Sequence, residues 1–267
     1  IEMSTYYTSK DGTQIPLTYS YKVSTQVNGA TPVFLYGYGG YNISIRPSFT
    51  PKYVAWLELG GVFAVANIRG GGEFGKSWHD AGRLDNKQNV FDDFLYASKY
   101  LEAQNVGNRK STVISGRSNG GLLVGATLIQ NPDYFGATLP AVGVLDMLRF
   151  TEFTEGWGWR GDYGSPLINE DDFVRNLKIS PYHQIKVEEC YSPTLTTTGR
   201  RDDRVVPSHS YKFTARLQEY QGCENPILLY DTPRAGHGSG NGVAMPKWKR
   251  IKLFSIEQAF ALKHVKS

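Results

Sequence analysis

Ile15, Leu17, Tyr19, Tyr21 and Val23 alternate with mostly polar neighbours, the period-two pattern of a strand buried on one face. Beyond them the pattern changes to short apolar runs at 32–36, 62–68, 112–115, 137–144, 194–198 and 227–230. Several are continuous Val/Ile/Leu/Ala stretches, as expected of strands covered on both faces. Helical segments separate the runs. Thr50-Pro51 supplies an N-cap with proline at the first helical position, and Gly60-Gly61 supplies a stop. Phe91, Phe94, Leu95 and Leu101 fall at helical spacing, and 120–129 is apolar on nearly every side, as in a buried helix. Segments 208–221 and 246–262 complete the set. Antiparallel pairing first and strand–helix alternation afterwards predict an α/β fold: a doubly wound, mostly parallel sheet with an antiparallel N-terminal edge.

With no internal repeat and no low-complexity linker, residues 1–267 read as one domain. The stretch from about 151 to 182 departs from the alternation. It is rich in Trp, Gly and charge, as in Gly156-Trp157-Gly158-Trp159-Arg160-Gly161-Asp162-Tyr163-Gly164, and is expected to form a cap-like insertion over a site.

Charge and cysteine content narrow the function classes. The net charge is +4, but 29 Lys and Arg are spread among 25 Asp and Glu without a basic stripe. Nucleic acid is therefore not an expected partner. No apolar stretch is long enough for a membrane span and no signal peptide is visible, so no membrane association and a cytoplasmic location are expected. Two cysteines, Cys190 and Cys223, exclude a disulfide scaffold and argue against a thiolate metal site. Two free thiols in a reducing compartment are the expected reading, with one bridge between them as the alternative.

Candidate chemistry centres on Gly116-Arg117-Ser118-Asn119-Gly120, a G-x-S-x-G sequence between the apolar strand 112–115 and the buried helix 120–129. That strand–turn–helix setting is the one a nucleophile elbow of the α/β-hydrolase fold requires. It makes Ser118 the candidate nucleophile. A serine hydroxyl needs a base, and the base needs an orienting acid, in the chain order Ser, Asp or Glu, His. Of the downstream histidines, His237 lies in the glycine-rich loop Arg234-Ala235-Gly236-His237-Gly238-Ser239-Gly240, after the strand 227–230. His209 belongs to the first turn of a helix, His183 follows Ser180-Pro181, and His264 lies in the tail. The acid is expected in Asp202-Asp203, in the loop after the strand 194–198, where spacing alone does not choose between the two; Asp146 is a further candidate. The oxyanion hole is expected to combine the Asn119 N–H with a donor from Tyr36-Gly37-Tyr38-Gly39-Gly40-Tyr41.

Gly70-Gly71-Gly72-Glu73-Phe74-Gly75 also fits the dinucleotide pattern G-x-G-x-x-G, with Asp92 or Asp93 about twenty residues on. The following Lys76-Ser77-Trp78-His79-Asp80 is not the apolar helix start that pattern demands, and no cofactor is expected.

These segments together resemble the catalytic domain of the prolyl oligopeptidase family of serine peptidases. The resemblance runs nearly the whole length of the chain. It is carried by Tyr36-Gly37-Tyr38-Gly39-Gly40-Tyr41, Arg69-Gly70-Gly71-Gly72-Glu73-Phe74-Gly75, Asn86-Lys87-Gln88-Asn89-Val90-Phe91-Asp92-Asp93-Phe94, Ser118-Asn119-Gly120-Gly121, Val142-Gly143-Val144-Leu145-Asp146, Asp202-Asp203-Arg204-Val205-Val206-Pro207 and Ala235-Gly236-His237-Gly238. It implies a triad of Ser118, Asp202 and His237, with the Tyr38 hydroxyl and Asn119 N–H in the oxyanion hole. It further implies that Arg204 holds a substrate carbonyl, that Trp159 stacks on a substrate proline, and that Tyr41, Tyr163, Val144 and Val205 line the proline pocket. The implied activity is cleavage of peptide substrates on the carboxyl side of proline; an esterase or acyl-aminoacyl peptidase of the same fold is the alternative. Three positions depart from the family pattern: Arg117 stands where a glycine is usual, Tyr41 replaces a phenylalanine, and Arg160-Gly161 replaces a small polar pair. The family's β-propeller has no counterpart among the repeats of this chain, because there are none.

Overall fold

The computed structural model describes residues 1–238 and 245–265; Ser239 and Gly240 of the histidine loop lie outside them. One eight-stranded sheet forms the centre, in the order β1-β2-β4-β3-β5-β6-β7-β8. The strands are β1 (Glu2–Thr8), β2 (Gln14–Ser20), β3 (Val33–Tyr36), β4 (Val62–Ala66), β5 (Thr112–Arg117), β6 (Ala137–Ala141), β7 (Thr194–Gly199) and β8 (Ile227–Thr232). β1 pairs antiparallel with β2, and β2 antiparallel with β4; every other pairing is parallel. The fold is thus the expected α/β-hydrolase sheet with an antiparallel N-terminal edge.

Burial follows position in the sheet. Central β6 and β7 are buried at every residue, whereas edge β1 is exposed at most of its positions. Successive side chains of a strand point to opposite faces, and the two cores divide accordingly. Val33, Leu35 and Ile114 join one cluster with Phe91, Phe94, Leu122 and Leu123. Phe34 and Val113 join the other with Trp56, Phe260 and Ala261. The first face is covered by α3 (Lys87–Ala103) and α4 (Asn119–Gln130), the second by α1 (Pro51–Glu58) and α9 (Lys247–Val265). α8 (Ser208–Tyr220) packs Phe213 and Leu217 against Leu128 and Leu145 in a third cluster.

The glycine cluster at 70–75 leads into α2 (Lys76–Asp80), a helix of 5 residues with no buried side chain. Such a helix has neither the length nor the apolar face of a dinucleotide fold. The stretch after β6 breaks into two 3-10 turns (Phe150–Glu152 and Gly156–Trp159) and three short helices: α5 (Arg160–Tyr163), α6 (Glu170–Ile179) and α7 (Pro181–Gln184).

One expectation is corrected here. Cys190 and Cys223 are joined in a disulfide, not held as free thiols. The strand starts at β7 and β8 bring the two preceding segments side by side, with their Cα atoms 5.1 Å apart, inside the range a disulfide needs. The cysteines therefore offer no support for a reducing compartment.

Candidate active site

Ligands of open α/β sheets bind beyond the carboxyl ends of the strands, and Ser118 sits there, one residue past β5. Its backbone has φ 58° and ψ −118°, a left-handed conformation that a serine adopts only under constraint. The two glycines of the motif explain how the turn closes so sharply. A Cβ on Gly116 would lie 2.2 Å from the Gly120 carbonyl oxygen, and one on Gly120 would lie 2.8 Å from the Gly37 carbonyl oxygen. The Ser118 N–H donates to the Ala141 carbonyl of the neighbouring strand at 2.9 Å, pinning the elbow to the sheet. α4 begins at Asn119, so the Asn119 N–H has no intrahelical acceptor and stands at the positive end of the helix dipole.

The carboxylate and imidazole arrive on the loops after β7 and β8. His237 Nδ1 lies 2.8 Å from Asp202 Oδ2. The Asp202 side chain is fully buried, and its other oxygen accepts from the backbone N–H groups of Arg204 at 3.1 Å and Val205 at 2.9 Å. Asp203, by contrast, is exposed. The structure thereby separates the two adjacent carboxylates by environment. Asp146 is engaged elsewhere: its carboxylate accepts from Lys212 Nζ and from the N–H groups of Leu148 and Arg149. His209 is buried, and burial lowers its pKa to about 4; its Nδ1 accepts from the Asp146 N–H at 3.1 Å. His183 is bonded to Ser180 at 2.7 Å, and His264 lies in α9. Among the described residues, only His237 of the four downstream histidines is bonded to Asp202.

No hydrogen bond joins the serine hydroxyl to the imidazole among the described residues. The Arg117 guanidinium donates to the His237 carbonyl at 3.3 Å, tying that loop to the elbow next to Ser118. Among the described residues the Ser118 hydroxyl itself makes no hydrogen bond. The imidazole–carboxylate half of the expected line is present; the hydroxyl–imidazole half is open.

Tyr38 is half-buried in the loop after β3, and burial pushes its hydroxyl pKa up to about 12, so it remains a proton donor through the neutral range. The Asn119 side chain ties this loop to the elbow: its Nδ2 donates to the Tyr38 carbonyl at 2.5 Å, and its Oδ1 accepts from the Tyr163 hydroxyl at 2.7 Å. The expected pocket residues all belong to the main core cluster or pack against it. Val144, Tyr163 and Val205 are buried in one cluster, against which Tyr41 and Trp159 pack. The Tyr41 and Tyr163 rings meet edge to face with centroids 5.8 Å apart. Trp159 stacks on Phe150 at 6.2 Å, and Phe150 in turn meets Tyr163 edge to face at 5.4 Å. Arg204 is exposed, and its Nε lies 3.3 Å from Glu155.

Sequence reasoning missed three elements of this site. Phe150, which backs Trp159, sits in a run where nothing marks one aromatic over its neighbours. Asp162 accepts from the Tyr41 N–H at 2.8 Å and lies 2.9 Å from His79 Nε2, holding the short helices of the 151–182 region beside the Tyr41 loop. Lys87 is buried behind Asn119; it was visible only as a polar residue near a helix start. Among the described residues no cluster of acidic, histidine or cysteine side chains could hold a metal ion, and no helix is long and apolar enough to cross a membrane.

A strained serine at the carboxyl end of a central strand, on this sheet, is the arrangement of the α/β-hydrolase class. The profile of the Prolyl oligopeptidase family matches residues 47–267, and the chain belongs to that family of serine peptidases. The chain is 48% identical over 251 residues to the prolyl endopeptidase of Elizabethkingia meningoseptica, spanning 94% of this chain and 36% of that protein. It is 44% identical over 256 residues to the prolyl endopeptidase of Dictyostelium discoideum, spanning 94% of this chain and 34% of the relative. Among solved structures, a prolyl oligopeptidase B of Galerina marginata bound to a 35mer hydrolysis and macrocyclization substrate superposes with a TM-score of 0.93 at 37% identity, over 99% of this chain and 37% of that one. A post-proline cleaving enzyme from Rickettsia typhi gives 0.91 at 33% identity, over 100% and 38%. The chain therefore spans little more than a third of the length of these relatives.

Proposed function

We propose that the chain is the single catalytic domain of a peptidase that cleaves on the carboxyl side of proline through a Ser118–His237–Asp202 triad. The observation that carries this reading is the 2.8 Å contact between His237 Nδ1 and the buried Asp202, on a loop that Arg117 ties to the elbow of Ser118. With Nδ1–H given to Asp202, Nε2 is the free lone pair that can take a proton from the serine hydroxyl. Binding of substrate closes the remaining gap between hydroxyl and imidazole, as catalytic hydrogen bonds often tighten only in the complex.

The reaction then runs in two halves. Ser118 Oγ attacks the carbonyl carbon of the prolyl residue while His237 takes the hydroxyl proton. The oxyanion of the tetrahedral intermediate is held by the Asn119 N–H and the Tyr38 hydroxyl. His237 returns the proton to the departing amine and leaves the acyl-enzyme, which water hydrolyses by the same route. The proline ring lies in the slot made by Trp159, Tyr41, Tyr163, Val144 and Val205, because a flat apolar ring gains most from a preformed aromatic cleft. Arg204 is exposed and free to exchange its Glu155 contact for a substrate carbonyl. The 151–182 region acts as the cap on this slot. The relatives' names, and a solved relative bound to a 35mer hydrolysis and macrocyclization substrate, support a peptide substrate.

The test is a panel of fluorogenic peptidyl amides and p-nitrophenyl esters run against the wild-type chain and Ser118→Ala. The variant is expected to lose several orders of magnitude in kcat, with amides ending in proline preferred by the wild type. Amide hydrolysis persisting in Ser118→Ala would remove the nucleophile assignment, and equal cleavage after proline and alanine would remove the pocket assignment.

A further inference from the structure

Lys87, at the start of α3, has almost no solvent exposure, at 2%. Taking an ammonium out of water costs several kcal/mol unless its donors are used, and here they are directed at two acceptors. Nζ donates to the Gly39 carbonyl at 2.8 Å and to Asn119 Oδ1 at 3.0 Å. It also lies 5.5 Å from the Tyr163 ring centroid, within the range of a cation–π contact. Neither partner is incidental. Gly39 follows Tyr38 in the chain, and Asn119 carries the backbone N–H that begins α4. The Asn119 amide passes the contact on, donating through Nδ2 to the Tyr38 carbonyl at 2.5 Å. A cation on Oδ1 polarises the amide and strengthens that second bond.

We propose that Lys87 is the positioning residue of the oxyanion hole: its buried ammonium clamps the Tyr38–Gly39 loop to Asn119 and so fixes the spacing of the two oxyanion donors. This rests on the acyl-transfer reading above. It deepens that reading by adding a charge that touches no substrate and acts through Asn119 and Gly39. Oxyanion stabilisation depends on donors held in place before the charge develops. A lysine behind the hole does this from the protein side, and its charge has the same sign as the α4 N-terminus beside it.

Nearest the ammonium are the Asp162 carboxylate and the Tyr163 ring, both of α5; His79 of α2 is bonded to Asp162, and Tyr38 and Tyr41 lie beside Tyr163. Burial lowers the Lys87 pKa to about 8, against the opposing pull of Asp162. Tyr38 titrates near 12, and burial raises Tyr41 and Tyr163 further. Of the lysine and the three tyrosines, it is therefore Lys87 that gives up its proton just above neutrality. The effect on stability has the opposite sign. Above a folded pKa of about 8 the unfolded chain still holds the proton that the folded chain has released, so Lys87's own contribution to stability rises with pH up to its unfolded pKa. A fall in activity above pH 8 without unfolding is the signature of the clamp.

The experiment measures kcat and KM of the wild-type chain, Lys87→Met and Ser118→Ala on a peptidyl-proline arylamide and a p-nitrophenyl ester from pH 6 to 10. Inhibition by a peptidyl-prolinal, whose aldehyde forms an oxyanion on the serine, and by the corresponding carboxylate product is measured in parallel. Lys87→Met is expected to lower kcat roughly 10- to 100-fold, equally on amide and ester, with KM within about threefold, as partial loss of an oxyanion donor does. Prolinal affinity should fall by the same factor, while product affinity holds. The wild-type kcat/KM should bend down near pH 8, and the variant should lack that limb. Prolinal and product weakened alike, or kcat within about threefold of wild type with the alkaline limb intact, would overturn the proposal while leaving the triad standing. If Lys87→Met does not fold, the wild-type profile decides, since a flat kcat/KM from pH 7 to 10 is incompatible with the clamp. A wild-type chain with no activity that Ser118→Ala abolishes would overturn both readings.

Discussion

Replacing Asp202 by asparagine isolates the proposed acid with little change of shape. Asp202 Oδ1 accepts from the N–H groups of Arg204 and Val205, and Oδ2 faces His237 Nδ1 at 2.8 Å. An asparagine has one oxygen and one NH2. Turning the NH2 towards Arg204 and Val205 would set donors against donors, so the oxygen must stay there and the NH2 must face the imidazole. Nδ1 is then forced to accept, the ring proton moves to Nε2, and the lone pair that should receive the serine proton is lost. The substitution also removes the charge that stabilises the imidazolium. At a charge separation of about 4 Å and an effective dielectric of about 20, that interaction is worth about 4 kcal/mol, roughly a thousandfold in rate. With the tautomer loss added, kcat should fall by about 10⁴. Because both backbone bonds are kept, stability should change by no more than about 1 kcal/mol. The control is Asp203→Asn, an exposed neighbour, expected within about twofold of wild type. The assay is kcat on a peptidyl-proline arylamide near neutral pH, with urea denaturation of each variant. A larger loss in Asp203→Asn, or an Asp202→Asn enzyme within tenfold of wild type, would refute the assignment.

Arg204→Ala should reduce kcat/KM for peptide amides about 10- to 100-fold, the worth of one charged hydrogen bond, and leave small aryl esters nearly unchanged. Its exposed contact with Glu155 should cost less than about 1 kcal/mol of stability; equal kinetic losses on both substrate types would speak against a carbonyl-binding role. The double variant Cys190→Ser/Cys223→Ser opens a loop closed across 33 residues and is expected to lose roughly 3–4 kcal/mol by the loop-entropy relation. Denaturant midpoints of the variant and the oxidised wild type within error of each other would contradict that.

The sheet was largely legible because buried parallel strands leave unbroken apolar runs, and seven of the strands coincide in part with such runs or with the alternating segment that became β2. β1 was not seen: its residues are mostly exposed, and its strand form is imposed by pairing with β2. The proposed triad positions were readable from motif and chain order, but the choice of Asp202 over Asp203 needed the resemblance, since burial separates them only in three dimensions. Lys87 was illegible for a related reason. In Asn86-Lys87-Gln88-Asn89 it looks like the solvated start of an amphipathic helix, and it is enclosed because the loop after β3, Asn119 and Tyr163 meet over it in the fold. The cysteine expectation failed because two cysteines in one sequence carry no pairing information; proximity comes from the neighbouring starts of β7 and β8.

That bridge occupies an instructive place. Asp202 and His237 follow the exits of β7 and β8, while Cys190 and Cys223 precede the entrances of the same two strands, which stay in register from Thr194 opposite Ile227 to Gly199 opposite Thr232. The pair of strands works like tongs riveted at the handle: a covalent pin at one end limits how far the tips can splay at the other. The two loops that carry the carboxylate and the imidazole thus leave a strand pair that is fastened covalently at its other end.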